Sequence, residues 1–374
     1  MGRGAGVLIP LLVAPLLVAC GAPRGAPGPV ADLQPTERPS RGTDEAGLWM
    51  QAERAEEQLK TSAILVRDPA LQEYVRDVVC RLAGPHCPAL RVYVVRHPAF
   101  YASMAPNGMM QVATGLLLRT ANEAQLAYVL GHELGHYRRR HSMQRWSDFQ
   151  AKAGNLGPEL GSMAAFSRDN EREADQVGFD LMVKSGYDPR EAPRAWDRLM
   201  AERAASGGSP RDPFLARHPP TAERRETLRD YAARAVVTGE PRVGRDDYLA
   251  RLRPIRRWLL TDEVRSRRFA ASEILLQHLI DDGDGLGELH FHVGEIHRLR
   301  GSPGDLPKAI AAYRRALELP DGPAEALRSL GTVYVRTGDR AAARDALARY
   351  LERRPDADDR EVIRSQLVDL ETPR

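Results

Sequence analysis

The sequence predicts an α+β chain: a mainly helical domain holding a small β-sheet, followed by an all-α array of helical hairpins. Three observations carry that expectation. Apolar residues recur with a helical period over 48–66, 69–82, 126–136, 171–185 and 189–205, whereas only 91–96 and 109–113 read as strands. After about residue 245 the pattern becomes helical hairpins, with Gly294 and Gly331 opening two similar runs. The length of 374 residues leaves room for two domains with ample core. The expected boundaries are 48–240 for the first domain and 245–374 for the second.

Residues 1–19 stand outside that fold. Arg3 is followed by an apolar run from Val7 to Ala19, the length of a signal-peptide core and too short to anchor as a membrane span. The run ends Leu17-Val-Ala-Cys20, which resembles the lipobox of bacterial lipoproteins. That resemblance implies cleavage before Cys20 and acylation of its thiol. Gly21 rather than Asp follows, which in the bacterial sorting pattern implies the outer membrane. Residues 20–47 are rich in Pro, Gly and Arg with hardly an apolar cluster, and read as a flexible tether reaching roughly 80 Å if extended at about 3.1 Å per residue.

The first domain opens with two helices, 48–66 and 69–82. Cys80 and Cys87 flank a turn. With Cys20 acylated, an even pair remains in an oxidising compartment, so a disulfide clipping the helix end to the next strand is expected; two reduced buried thiols are the alternative. Arg91–Arg96 is the first strand, Pro106-Asn107-Gly108 a turn, and Met109–Ala113 a second strand. An exposed edge of this sheet would let an extended peptide add as a strand.

The next helix contains Leu126-Ala-Tyr-Val-Leu-Gly-His132-Glu133-Leu-Gly-His136. Leu126, Leu130 and Leu134 form its core-facing stripe, and Gly131 and Gly135 permit a close backbone approach on one flank. His132 and His136, four residues apart, share a face and can grip one zinc ion. Glu133 stands beside them, where a carboxylate can take a proton from a water that the metal polarises. A third ligand is expected from Glu171-Arg-Glu-Ala-Asp175, whose outer carboxylates again share a face. One completes a His₂Glu site, and the other suits holding a His ring by its second nitrogen. Part of this acidity can instead be helix-start chemistry, with Asn170 as N-cap and Glu173 three residues on.

These two motifs together resemble the zinc metallopeptidases related to HtpX and the CAAX prenyl protease. The resemblance spans roughly residues 45–235 and implies a zincin-type peptidase domain with one zinc ion. By it, Glu171 is the third ligand and Asp175 its partner behind the ligands. His218-Pro-Pro-Thr-Ala-Glu-Arg224 resembles a further family element. Two roles are implied for His218: a removable plug on the metal, or a donor that stabilises the developing oxyanion. A loop histidine paired with an acid is the plain alternative. The stretch from Trp146 to Arg168, with Gly154, Gly157, Pro158 and Gly161, reads as a weakly patterned connection near the cleft; Pro189 to Ala205 is a helix, and Ser206–Pro210 a break.

In the second domain, Leu330-Gly-x-x-Tyr334, Gly338, Ala343, Leu347 and Pro355 follow tetratricopeptide spacing. Val293-Gly-x-x-His297, Gly301, Ala309, Tyr313 and Ala316 follow it with a longer loop, and Tyr248 to Asp282 reads as an earlier degenerate copy. Such repeats present a concave surface to segments of other proteins.

Charge narrows the function further. With 54 basic and 51 acidic residues the net charge is +3, and no basic run argues for nucleic acid. Arg138–Arg140 closes the His-bearing helix, where cations oppose the helix dipole. The reading is a lipid-anchored zinc metalloendopeptidase of the bacterial cell envelope, on the periplasmic face of the outer membrane. Its expected substrates are misfolded or unassembled envelope proteins, and its repeats are expected to recruit substrate or the outer-membrane assembly machinery. The alternative is a repeat-based chaperone or assembly factor with little or no proteolysis.

Overall fold

The computed structural model describes residues 32–153, 166–207, 217–219 and 221–371, without the side chains of 148–153. The signal peptide, Cys20, residues 20–31 of the tether, the glycines of 154–161, and residues 208–210 of the expected break lie outside the described residues.

The α+β architecture is observed. Helix α1 (Asp44–Thr61) starts at the Thr43 cap, four residues before the expected start, and ends before residues 62–66. That last run instead lies along the first strand, with Val66 N–H donating to Val94 O and Arg96 N–H to Ile64 O. Helix α2 (Pro69–Ala83) is capped by Asp68 and leads into a 3₁₀ turn, Gly84–Ala89. A disulfide joins Cys80 of α2 to Cys87 of that turn, ahead of the strand rather than in it.

Three strands follow: β1 (Arg91–Val95), β2 (Ala102–Met104) and β3 (Met109–Ala113). Their order is β1-β3-β2, with β1 parallel and β2 antiparallel to β3. β2 was not expected from the sequence: three residues are too few to show an alternation. It forms one edge of the sheet, while β1 is covered by residues 64–66.

The short helix α3 (Thr114–Arg119) leads to α4 (Glu123–Arg138), capped by Asn122. Every residue of α4 from Glu123 to Tyr137 is buried, so this helix is the axle of the domain rather than an amphipathic surface helix. Helices α5 (His141–Ala153), α6 (Arg168–Lys184) and α7 (Glu191–Ala205) pack around it, and α8 (Ala222–Arg234) packs on α6 and α7. The N-cap of α6 is Ser167, not Asn170; Asn170 sits three residues in and completes a capping box.

Two expected boundaries shift. Leu33, expected in the tether, is buried, and its N–H donates to Arg138 O at 2.8 Å. Asp32 pairs with Arg139, and Glu37 with Arg140, so residues 32–43 are docked on the end of α4. At the other end, α9 (Arg245–Leu252), α10 (Arg256–Arg265) and α11 (Phe269–Asp281) were expected to open the repeat array. Instead Tyr248, Leu259, Leu260 and Leu275 share one apolar cluster with Leu116, Leu126 and Tyr128. Leu289 and Ile296 of α12 (Leu286–Arg300) still belong to that cluster, and the separate ones begin among α13 (Asp305–Leu317), α14 (Glu325–Thr337), α15 (Arg340–Arg353) and α16 (Arg360–Glu371).

Candidate metal centre

The site is built where α4 crosses α6. A Cβ on Gly131 would fall 2.9 Å from Gly178 O, one on Gly135 2.9 Å from Ala174 O, and one on Gly178 2.5 Å from His132 N. Backbone lies on backbone, an approach that only glycine allows. The contact brings His132 and His136 of α4 against Glu171 and Asp175 of α6.

His132 Nε2 and His136 Nε2 are 3.1 Å apart. Glu171 Oε1 lies 3.4 Å from His136 Nε2, and its Oε2 3.6 Å from His132 Nε2. His218 completes the group: its Nδ1 is 3.2 Å from His132 Nε2 and 2.9 Å from Glu171 Oε1. All four side chains are buried, with one donor atom from each inside a 4.8 Å span. Zinc bonds of about 2.0–2.1 Å to four tetrahedral donors need donor–donor edges of roughly 3.3 Å. The observed spacings lie on either side of that value, so the donor set fits a zinc ion in size and chemistry. Glu133 is buried beside it; its Oε1 accepts no hydrogen bond among the described residues and lies 3.5 Å from His218 Nε2.

Hydrogen bonds from behind fix which nitrogen of each ring faces inward. Asp175 Oδ1 accepts from His132 Nδ1 at 2.9 Å, which leaves Nε2 unprotonated. His136 Nδ1 meets His141 Nδ1 at 2.9 Å, and His141 Nε2 meets Glu173 Oε2 at 3.1 Å. A carboxylate can only accept, so His141 donates from Nε2, accepts at Nδ1, and leaves the His136 Nε2 lone pair pointing into the cluster. Asp175 itself is held by Arg224, at 2.6 and 2.7 Å, and by Tyr128 Oη–H at 2.8 Å. Arg224 Nη1 also reaches Glu171 Oε2 at 2.6 Å.

The electrostatics follow from these contacts. Burial pushes the Glu133 carboxyl up, against the opposing charges of His218 and His132, which makes it a stronger base than an exposed glutamate. Burial also holds His136 well below the ordinary imidazole range. For His132, burial acts the same way but is outweighed by the Asp175 hydrogen bond and the nearby carboxylates, and its basicity rises. Glu171 is desolvated, yet its close contacts with His136, His218 and His132 hold its carboxyl well below the ordinary carboxylate range.

The structure thus brings together His132, Glu133, His136, Glu171, Asp175 and His218, all named from the sequence. His141 and the pairing of Arg224 were missed. His141 lies five residues after His136, beyond the helical spacing that links the first pair, and Arg224 reaches its partners across 49 residues.

This fold and donor set define a metallopeptidase domain. Residues 66–154 and 156–232 match peptidase family M48, and residues 301–368 match a tetratricopeptide repeat. Among curated relatives, a "Beta-barrel assembly-enhancing protease" of Escherichia coli is 28% identical over 282 residues, covering 66% of this chain and 56% of its own length. A protein of the same name from Yersinia pestis is 28% identical over 221 residues, covering 51% of this chain and 45% of that one. A "Mitochondrial metalloendopeptidase OMA1" of Arabidopsis thaliana is 32% identical over 151 residues, covering 37% and 30%. The chain spans about half the length of the first two relatives.

Proposed function

We propose that the chain is a zinc metalloendopeptidase. The observation that carries this reading is the buried His132–His136–Glu171 set with a Glu133 oxygen beside it that accepts no hydrogen bond among the described residues. Zinc, when bound, supplies a Lewis acid for the peptide carbonyl and brings the pKa of a water toward about 7. Asp175 and His141 hold the two imidazoles with their lone pairs inward. Glu133, made more basic by burial, takes the proton of the attacking water and returns it to the leaving amine. The open edge of β2 pairs with an extended substrate segment.

His218 acts as the removable plug. Its Nδ1 sits among the other three donor atoms, which supports ligation more than an oxyanion role. A substrate enters when His218 withdraws, and until then the enzyme is latent.

The setting of this activity belongs to the same proposal. Cys20 carries the lipid anchor, residues 1–19 are removed, and the chain works on the periplasmic face of the outer membrane. No helix among the described residues is long and apolar enough to cross a membrane. The relatives' name points to unfolded or misassembled outer-membrane β-barrel proteins as substrates, with the repeats recruiting them or the assembly machinery.

The test is cleavage of an unfolded β-barrel protein by the purified chain. Chelation should abolish it and added zinc restore it. Cleavage undiminished by chelation contradicts the reading. For the anchor, Cys20→Ser should move the protein from the membrane pellet to the soluble fraction; a variant that stays pelleted after a high-salt wash contradicts it.

A further inference from the structure

Beside the metal centre lies a cleft of about 410 Å³ between β2, α1, the start of α5 and the segment carrying His218. Leu48, Ala52, Met104 and Met109 give it apolar walls, and Arg145 and Arg217 enter it. Among the described residues, no aspartate or glutamate lines it. Neighbouring arginines are neutralised: Arg139 and Arg140 pair with Asp32, Glu37, Glu45 and Glu173, and Arg224 with Glu171 and Asp175. Among the described residues, neither Arg145 nor Arg217 has a carboxylate partner.

Arg145 is also fixed in place. Its guanidinium lies 4.3 Å from the centre of the Phe166 ring, and Phe166 stacks on His136 with ring centres 4.0 Å apart. Phe166 N–H donates to Arg217 O, which ties the two cationic residues to one small patch. Burial, with the neighbouring Arg217 adding to it and the Glu133 charge opposing it, pushes Arg145 down to about 10. One aromatic ring separates Arg145 from His136. At about 3.3 Å per residue of extended chain, that puts the guanidinium within roughly two residues of the bond to be cut.

We propose that Arg145 and Arg217 form a subsite for a carboxylate of the substrate, within about two residues of the scissile bond and flanked by an apolar side chain. The proposal rests on the peptidase reading above. It makes the enzyme selective for segments that present an acid next to an apolar residue. The carboxylate can belong to an aspartate or glutamate side chain or to the substrate's own C-terminus, since a guanidinium binds either as a bidentate partner.

The experiment uses quenched fluorescent peptides that differ at one position, Glu against Gln against Lys, scanned over three residues on each side of the cleavage site. A second pair ends in a free carboxylate or an amide at the same distance. With the full zinc-loaded chain, the Glu peptide should exceed its Gln twin in kcat/KM by about tenfold at one position, with Lys lowest. The amide pair tells whether a C-terminal carboxylate serves as well. Arg145→Gln should bring the ratio toward one, and Arg145→Lys, which keeps the charge without the bidentate fork, should give an intermediate ratio. The same peptides are titrated into zinc-loaded Glu133→Gln, which cannot turn them over. Glu-over-Gln discrimination in binding without cleavage by the unmodified chain keeps the subsite and sinks the peptidase reading. Equal kcat/KM and equal affinity at every scanned position overturn the subsite.

Discussion

The crossing that carries the metal-binding groups and a hairpin of the repeat region both turn on glycines, yet those glycines face different neighbours. At α4 and α6, a Cβ on Gly178 would press on the backbone nitrogen of His132 at 2.5 Å. At α14 and α15, a Cβ on Gly331 would press on the side chain of Leu347 at 2.7 Å. A leucine can change rotamer to make room, whereas a backbone cannot yield without moving the helix. The ligand-bearing pair is therefore built to hold positions, and the repeat hairpin only to fill space. That contrast explains why the site needs three glycines in two helices. Donor atoms separated by about 3 Å must keep their spacing before any ligand arrives.

The comparison is sharpened first by a change that spares the framework. Glu133→Gln keeps the shape of α4 and every donor atom. It should retain zinc and lower kcat by about 10²–10⁴-fold, the range of a lost general base, as read by cleavage of an unfolded β-barrel protein. A Gln variant with near-normal turnover would move the base elsewhere.

Breaking the framework itself is the second expected effect. Gly178→Ala should destabilise the chain by about 1–3 kcal/mol through overpacking and lower zinc affinity with it. Gly331→Ala should cost less, because Leu347 can shift and alanine favours a helix by about 1 kcal/mol. Thermal melts of the two variants, with zinc titrations, check the order; equal losses would remove the distinction between the regions.

His218 tests the one donor that does not sit on either helix. His218→Ala should keep zinc on the remaining three residues and raise basal proteolysis several-fold. A fall in kcat of about 10²-fold at equal zinc loading would instead assign His218 to the oxyanion.

The smallest effect concerns the buried seam between the peptidase helices and α10. Arg119 lies between Glu202 and Glu263, at 2.8 Å from each. Burial pushes the Glu202 carboxyl up to about 7; Arg119 opposes this and the Glu263 charge adds to it. A carboxyl raised above its unfolded value of about 4.3 binds its proton more tightly in the folded chain. Its contribution is thus complete below about pH 4.3 and is lost as pH rises through 7. Glu202→Gln should flatten that part of the stability-versus-pH curve, so its melting temperature relative to the parent rises from pH 5 to 8. A pH-independent difference would place the titration elsewhere.

Much of what could be read from the sequence lies close together in it and repeats at a short local spacing. His132 with His136, and Glu171 with Asp175, are each four apart, and the Leu126–Leu134 stripe is local in the same way. The remainder depends on contacts between distant segments. Leu33 docks on Arg138, Tyr248 donates its hydroxyl to Leu117 O across 131 residues, and Arg224 reaches Asp175 across 49. No local period records such pairings. For the same reason, residues 245–282 resembled a repeat while packing into the peptidase core.

The central claim, that α4 and α6 together hold one zinc ion through His132, His136 and Glu171, is tested most directly by metal analysis of purified Glu171→Ala beside Glu133→Gln. The account predicts about one zinc per chain in Glu133→Gln and little or none in Glu171→Ala, with the same loss in His132→Ala and His136→Ala. Full zinc occupancy in Glu171→Ala would contradict it and turn attention to Glu173 or Asp175.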